Sequence, residues 1–447
     1  MKFGRLSRRR FLAATSVPLI LPGGLRAAEA NEKLSIGFVG MGGRMQGHVQ
    51  HLVRAGHHVA AFCDVDLPRC DAARARFGEQ SAKANCYQDY RKMFDKEKGI
   101  DAVVISTPDH WHAPVIRQAF GANVHIFCEK PLTHTVGEAR EMRELSRHST
   151  VVTQTGNQGS ASNNLRRSIE LIRAGFIGQV TDIHIWHNER AWPMVADINL
   201  ADPIPRGFNW DFWCGPSKMR PYKKGVYHPA KWRYWYEYGN GFVGDFCCHA
   251  FNMPVRALEL DYAHKIEVTG EKMGFDCYPA NSIIRYHFKA KANRGPVTMH
   301  VYDGGVYPDD DVLHDVLTTF GKRPRVDCLL IGDKGQLKAG LWNTECYVKL
   351  NDDEKFVGAG NHEAAKLIPQ TLPRVKGHME EWLDTIYGGP KNFADFDLGG
   401  HLTEIGLSGN VALRLRRTIE WDGEKMCVPG SPEADQFIHK QDRKKWL

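Results

Sequence analysis

Residues 34–40, Leu-Ser-Ile-Gly-Phe-Val-Gly, run directly into Met41-Gly42-Gly43-Arg44-Met45-Gln46-Gly47-His48 and a helical stretch through Arg54. A short apolar run of this kind reads as a buried parallel strand. A strand that turns on glycines straight into a helix restricts the fold more than anything else in the chain. Gly40 permits the tight turn, and Gly42 lets backbone approach an anion seated on the helix N-terminus. A second strand, Val59-Ala60-Ala61-Phe62-Cys63, ends in Asp64, about where an acid accepts a ribose 2′-hydroxyl. The pattern is that of a dinucleotide site, and an acid at this position repels a 2′-phosphate, favouring NAD over NADP. Met45 stands where G-x-G-x-x-G has its third glycine, so helix and strand must pack slightly further apart.

Alternation of strand and helix continues. Ile100–Ser106 reads as a strand ending in Thr107-Pro108-Asp109-His110-Trp111-His112; a helix through Gly121 leads to Asn123–Cys128, ending in Glu129-Lys130-Pro131. A further helix over Val136–Arg147 precedes Val151–Thr155. In a doubly wound sheet, ligands bind at the carboxyl ends of the strands, where both of these segments lie. Lys130 is then near a nicotinamide, able to polarise a hydroxyl or carbonyl oxygen; alternatively, Glu129 and Lys130 are a solvated pair beside a turn proline.

The glycine turn, Asp64, the Thr107–His112 segment and Glu129-Lys130-Pro131 together resemble the Gfo/Idh/MocA oxidoreductases, named for glucose–fructose oxidoreductase and inositol dehydrogenase. The resemblance implies a nicotinamide cofactor and a sugar or polyol substrate. Cofactor contacts are expected from Gly40, Gly42, Gly43, Arg44, Asp64, Thr107, Pro108, His110, His112, Glu129, Lys130 and Asn157.

From Gly156 the pattern changes. A helix over Asn163–Ala174 is followed by strand-like runs at 180–186, 265–269, 282–288, 297–302 and 328–331. Strands without intervening helices argue for an α+β domain with a large, open, mainly antiparallel sheet. In the resembling family such a sheet packs one face on helices and the other on a partner subunit, which implies a homodimer or homotetramer. The expected architecture is therefore α/β, with a doubly wound parallel Rossmann-type domain over 31–155 and a substrate and oligomerisation domain over 156–447.

Residues 186–249 are rich in aromatic side chains: Trp186, Trp192, Trp210, Phe212, Trp213, Tyr227, Trp232, Tyr234, Trp235 and Tyr236. They read either as the core of a long excursion or as flat platforms for pyranose rings. Asp211, His228 and Arg233, interleaved among them, favour a polar ligand for some. The stretch ends in Gly239-Asn240-Gly241-Phe242-Val243-Gly244-Asp245-Phe246-Cys247-Cys248-His249. On a helix, Asp245 and His249 share a face. By itself such a pair reads as a surface salt bridge. The family pattern ends in a matching glycine-rich D-x-x-x-H, which implies that Lys130, Asp245 and His249 are the catalytic group. Substrate contacts are expected from Lys130, Asp211, His228, Trp232, Arg233, Asp245 and His249.

Other segments are quieter. His110 and His112 lack two further ligands nearby in sequence, so no metal is expected. Tyr302-Asp303-Gly304-Gly305 reads as a hairpin turn or a pocket wall, and Leu398–Arg417 as an amphipathic packing helix.

The N-terminus assigns a compartment. Ser7-Arg8-Arg9-Arg10-Phe11-Leu12, a short apolar run and Ala28-Glu29-Ala30 have the anatomy of an export signal over residues 1–30, and the paired arginines look like the twin-arginine variety. The expectation is a periplasmic protein exported folded by the twin-arginine translocase, with no membrane anchor after cleavage; a basic N-terminal arm is the plainer reading. These residues carry +5 of the net charge of +7, so the remainder is close to neutral and argues against a nucleic-acid partner. The 11 cysteines are odd in number and mostly sit in apolar runs, which reads as buried thiols rather than disulfides.

Three functions fit: an NAD-dependent oxidoreductase acting on a sugar, glycoside or polyol with a retained, recycled cofactor; an NAD-dependent glycosidase working by transient oxidation and elimination; or a carbohydrate-binding protein without chemistry.

Overall fold

A computed structural model describes residues 33–187, 200–270, 276–443 and 446. The expected signal over 1–30 and Trp192 lie outside the described residues.

The first layer runs β1 (Ser35–Val39), α1 (Gly43–Arg54), β2 (His58–Cys63), α2 (Leu67–Arg76), β3 (Asn85–Tyr87), α3 (Tyr90–Lys96), β4 (Ala102–Ile105), α4 (His112–Gly121), β5 (His125–Cys128), α5 (Val136–Arg147) and β6 (Thr153–Thr155). Its six strands are parallel in the order β3-β2-β1-β4-β5-β6. Every residue of β4 and β5 is buried, as helices on both faces of a parallel sheet require. Met45 is fully buried against this core, so the third glycine's place is taken by apolar packing. Helix α5 starts on a capping box in which Thr135 and Glu138 satisfy each other's amides.

The second layer begins with α6 (Asn163–Arg173) and β7 (Val180–His187), then α7 (Trp210–Cys214), α8 (Gly241–Ala250) and α9 (Asn252–Leu258). It continues with β8 (Lys265–Gly270), β9 (Ser282–Phe288), β10 (Val297–Asp303), α10 (His314–Phe320), β11 (Val326–Gly332), β12 (Gly335–Lys338), β13 (Tyr347–Leu350) and β14 (Val357–Gly358). The chain ends through α11 (Glu363–Lys366), α12 (His378–Ile386), α13 (Phe396–Leu415), β15 (Ile419–Glu420) and α14 (Asp435–Ile438). Nine strands form one sheet, β14-β13-β12-β11-β7-β10-β9-β8-β15, antiparallel except for the β7–β10 pair. Ile183, Ile185, Met299 and Val301 bury one face of it beneath α8 and α13.

Two helices tie the layers together. Met379, Trp382, Leu383 and Ile386 of α12 join the core beneath β1 and α1, so the chain returns to the first layer after building the second. Helix α13 is buried on nearly every side. Its Glu404 accepts from Arg140 and Arg143 of α5, at 2.7 Å each, compensating for a carboxylate that would be costly to bury alone. At Gly406, a Cβ would stand 2.2 Å from Cys247 Sγ, so only glycine lets α13 pass this close to α8.

The aromatic excursion forms its own buried cluster, including Trp210, Trp213, Tyr227, Trp232 and Trp235. All 11 cysteines are free thiols.

Candidate active site

The loops after β1 and β4 meet where the parallel strand order reverses, the usual ligand position in such a sheet. Gly40 has a φ of +86°, and a Cβ on it would lie 2.7 Å from the backbone of Ser106. Glycine alone tolerates both conditions. Helix α1 starts with no side-chain cap among the described residues and no acid in its first turn, leaving its amides for an anion. From there a cavity of about 600 Å³ passes Asp64, Thr107, Pro108 and Asp109 to Lys130, Trp232, Arg233, His249 and Trp342. Cofactor and small-molecule sites typically measure about 300–1,000 Å³.

At one end, Asp64 accepts the amides of Met41 at 2.7 Å and Asp66 at 2.9 Å. Burial lifts its carboxyl to about 6 against the pull of these amides. Arg69 donates from Nε to Asp66 at 3.0 Å, and its Nη2 lies 3.0 Å from His228 Nε2. Expected among the substrate contacts, His228 lines the same cavity, where Arg69 holds its ring.

At the other end, Lys130 Nζ donates to Asp245 Oδ1 at 2.8 Å and to the Asp245 carbonyl at 3.0 Å. Arg233 Nε stands 3.6 Å from the same carboxylate, and the Phe246 ring lies 5.4 Å from the ammonium. Burial opposes both charges, yet the Asp245 charge holds Lys130 above the usual lysine value, while Lys130 and Arg233 hold Asp245 below the usual carboxylate value. Burial, then the Lys130 charge, pushes His249 down to about 3. The site at neutral pH is thus an ammonium, a carboxylate and a neutral imidazole.

Glu129, next to Lys130 after β5, is braced by α1. Its Oε1 lies 2.7 Å from His48 Nε2 and accepts from Arg44 at 3.1 Å and Gln158 at 3.2 Å. Burial works against its charge, but the His48 hydrogen bond and nearby cations hold it ionised well below the ordinary range. Asp109 is the opposite case: burial, then the Asp245 charge, lifts its carboxyl well above that range, and Asn240 donates to it at 3.1 Å.

Of the expected cofactor residues, Gly40, Gly42, Gly43, Arg44, Asp64, Thr107, Pro108, Glu129 and Lys130 line the cavity. His110, His112 and Asn157 do not. Both ring nitrogens of His110 meet carbonyls, of Tyr238 at 3.1 Å and Trp213 at 2.8 Å; those of His112 meet Pro131 at 2.8 Å and Thr107 at 3.0 Å. Asn157 is fully buried with its amide atoms unpaired among the described residues. Asp211, expected near substrate, pairs instead with Arg443 at 3.0 Å.

Trp342 is a cavity residue that the sequence reading passed over. It is 42% exposed, and its ring centroid lies 6.3 Å from those of His249 and of Phe246. Its only cue in the chain was a tryptophan in a loop between Gly340 and Asn343.

The donor set fits a nicotinamide dinucleotide. The glycine cradle admits a pyrophosphate, and Thr107 Oγ1 and His249 Nδ1 are buried without a partner among the described residues. Residues 34–157 match the Gfo/Idh/MocA oxidoreductase family with an NAD-binding Rossmann fold. The match coincides with the first layer, which is similar to this family's NAD-binding domain.

Curated relatives include a glycosyl hydrolase family 109 protein from Shewanella woodyi, 31% identical over 166 residues, 35% of this chain and 34% of that protein. Another is inositol 2-dehydrogenase from Salmonella typhimurium, 29% identical over 157 residues, 34% of this chain and 46% of the enzyme. The matched stretch thus spans a third to a half of their length. Among solved structures, the WlbA dehydrogenase from Bordetella pertussis, in complex with NADH and UDP-GlcNAcA, shares the fold with a TM-score of 0.61 at 14% identity, covering 88% of this chain and 98% of that one. An oxidoreductase from Thermotoga maritima does so with a TM-score of 0.58 at 16% identity, covering 87% and 98%.

Proposed function

We propose that this protein is an exported NAD-dependent oxidoreductase that oxidises a hydroxyl of a sugar, glycoside or polyol and retains its cofactor between turnovers. The observation that carries this reading is the Lys130–Asp245 ion pair beside neutral His249, in a cavity continuous with the glycine turn.

Bound NAD supplies the acceptor for the hydride of the substrate carbon. Lys130, held cationic, stabilises the substrate oxygen as its proton leaves. His249 takes that proton on a ring nitrogen; the ammonium that weakens it as a base also acidifies the hydroxyl. Asp245 fixes the ammonium. Trp232 and Trp342 offer aromatic faces to a pyranose ring.

Retention is supported by the aromatic excursion, which joins the cavity wall through residues 228–233. It is bound to the first layer by an Asp66–Phe208 bridge and by Gln88 donating to the Gly207 carbonyl at 3.0 Å. The arginine pair and A-x-A site of the N-terminus support export to the periplasm through the twin-arginine translocase, and a compartment without a free NAD pool calls for a cofactor loaded beforehand. The partly uncovered face of the nine-stranded sheet supports a homodimer or homotetramer.

A second reading, glycoside cleavage by transient oxidation and elimination, is favoured by the Shewanella woodyi relative and by Asp109, a cavity-wall carboxyl that burial and the Asp245 charge push toward its acid form, as a departing group requires.

The test is mass-spectrometric analysis of nicotinamide released on denaturing the exported protein, followed by a carbohydrate screen for reduction of the bound cofactor. Stoichiometric NAD(H) and substrate-dependent reduction are expected; glycoside cleavage without net NADH selects the second reading. No nicotinamide and no binding of added NAD would overturn both and leave a carbohydrate-binding protein.

A further inference from the structure

On the sheet face turned away from α8, three potential metal ligands converge. Asp182 and His184 are two apart on β7 and so point to the same side. In the parallel β7–β10 register His300 stands opposite His184. One ligand atom from each of Asp182, His184 and His300 lies within 4.8 Å of the others. Ile183 and Ile185, between and beyond them, point into the core beneath α8, so this cluster is separate from the catalytic group.

We propose that Asp182, His184 and His300 form a binding site for a transition-metal dication of the zinc class. Two imidazoles and one carboxylate make an N/O donor set suited to zinc, and far from the all-oxygen shells that magnesium and calcium prefer. Three protein ligands leave a fourth position open for water. His300 Nε2 lies 3.0 Å from Asp182 Oδ1, close to the roughly 3.4 Å spacing of ligand atoms around a tetrahedral ion with bonds of about 2.1 Å.

His184 is prepared for the role. Its Nδ1 lies 3.1 Å from the Tyr302 hydroxyl, an outer partner that orients the ring and leaves its other nitrogen for an ion. The imidazoles are stacked, 4.6 Å apart and within 5° of parallel. A ligand lone pair lies in the ring plane, so binding turns one imidazole out of the stack while the strand backbones stay in place. Asp182 is exposed enough to admit an ion from solvent. A bound ion would clasp β7 to β10, the single parallel pair of this sheet among the described residues.

The experiment loads the untagged, chelator-stripped full-length protein with zinc chloride, dialyses it and counts metal by elemental mass spectrometry. About one zinc per chain is expected. His184→Ala and His300→Ala should lose it, and Tyr302→Phe should weaken binding about 10- to 100-fold. His58→Ala, at an exposed histidine of the first layer, should bind as the wild type does. Circular dichroism verifies that each variant is folded. Should an alanine variant fail to fold, cobalt chloride on the wild type keeps the proposal testable: visible absorption of a four-coordinate ion with two nitrogen ligands is expected. No retained zinc in the wild type, equal zinc in the histidine variants, or a cobalt spectrum identical to the hexaaquo ion would overturn the proposal.

Discussion

Lys130 Nζ and Asp245 Oδ1 lie 2.8 Å apart, although 115 residues separate them in sequence. One stands at the carboxyl end of a parallel strand and the other on a helix of the second layer, so the reacting group exists only once the layers have docked. Removing the ammonium would leave Asp245 buried with Arg233 alone at 3.6 Å. Lys130→Met should therefore lower the single-turnover rate of cofactor reduction by about 10²–10³-fold, the usual cost of a lost oxyanion donor. Released nicotinamide per chain should stay near the wild-type value, because the glycine turn and Asp64 are untouched.

His249→Ala should abolish hydride transfer and leave cofactor content nearly intact; wild-type turnover would exclude its role as the base. With the wild-type imidazole near 3, the pH–rate profile should show no acid limb at about 6.5, where an unperturbed histidine titrates. A limb there would mean that the ring is charged when the site is empty.

Trp342→Ala removes a half-exposed aromatic face beside His249. An aromatic contact of this kind contributes about 0.5–1.5 kcal/mol. KM for the carbohydrate should rise about 2- to 12-fold, with kcat changed less, in a steady-state assay.

The buried histidines should lower stability in mild acid. Burial pushes His110 to about 3 and His125 and His378 to about 4. Below about 6.5 the unfolded chain takes up protons that the folded chain refuses, so this contribution is complete above that value and is lost as pH falls through it toward about 4. Asp64 and Asp303, lifted by burial to about 6 and about 8, act in the opposite direction, so the test compares wild type with His125→Gln: the change in urea midpoint from about pH 7 to about pH 4.5 should be less unfavourable in the variant. Identical changes in both would contradict neutral burial of this ring.

Reductant should leave the Tm unchanged, because all 11 cysteines are free. A fall in Tm on adding a reducing agent would expose a disulfide.

The first layer was largely legible in the chain. Helix α5 has the boundaries that its pattern suggested, Val136–Arg147, and the Asp245/His249 spacing gave the shared helix face that α8 supplies. Local signals carry such features: glycine turns, period and caps act within a few residues. The aromatic excursion was less legible. Trp210 and Trp213 stack 4.6 Å apart inside a buried cluster, whereas Trp342, remote in sequence, faces the cavity. Composition marks an aromatic residue but not the side from which it is covered. His110 and His112 sit in a ligand-edge loop, yet carbonyls from distant segments bind their rings.

What the sequence determined by itself is the parallel dinucleotide-binding layer, the family it resembles and the acid and histidine one helical turn apart, all written in contacts between near neighbours. Only the tertiary structure decided that α12 returns to the first core, that Glu129 is braced from α1, that Trp342 walls the cavity and that Asp182, His184 and His300 converge. Each of those depends on segments tens to hundreds of residues apart, brought together by burial of apolar faces, which no local pattern encodes.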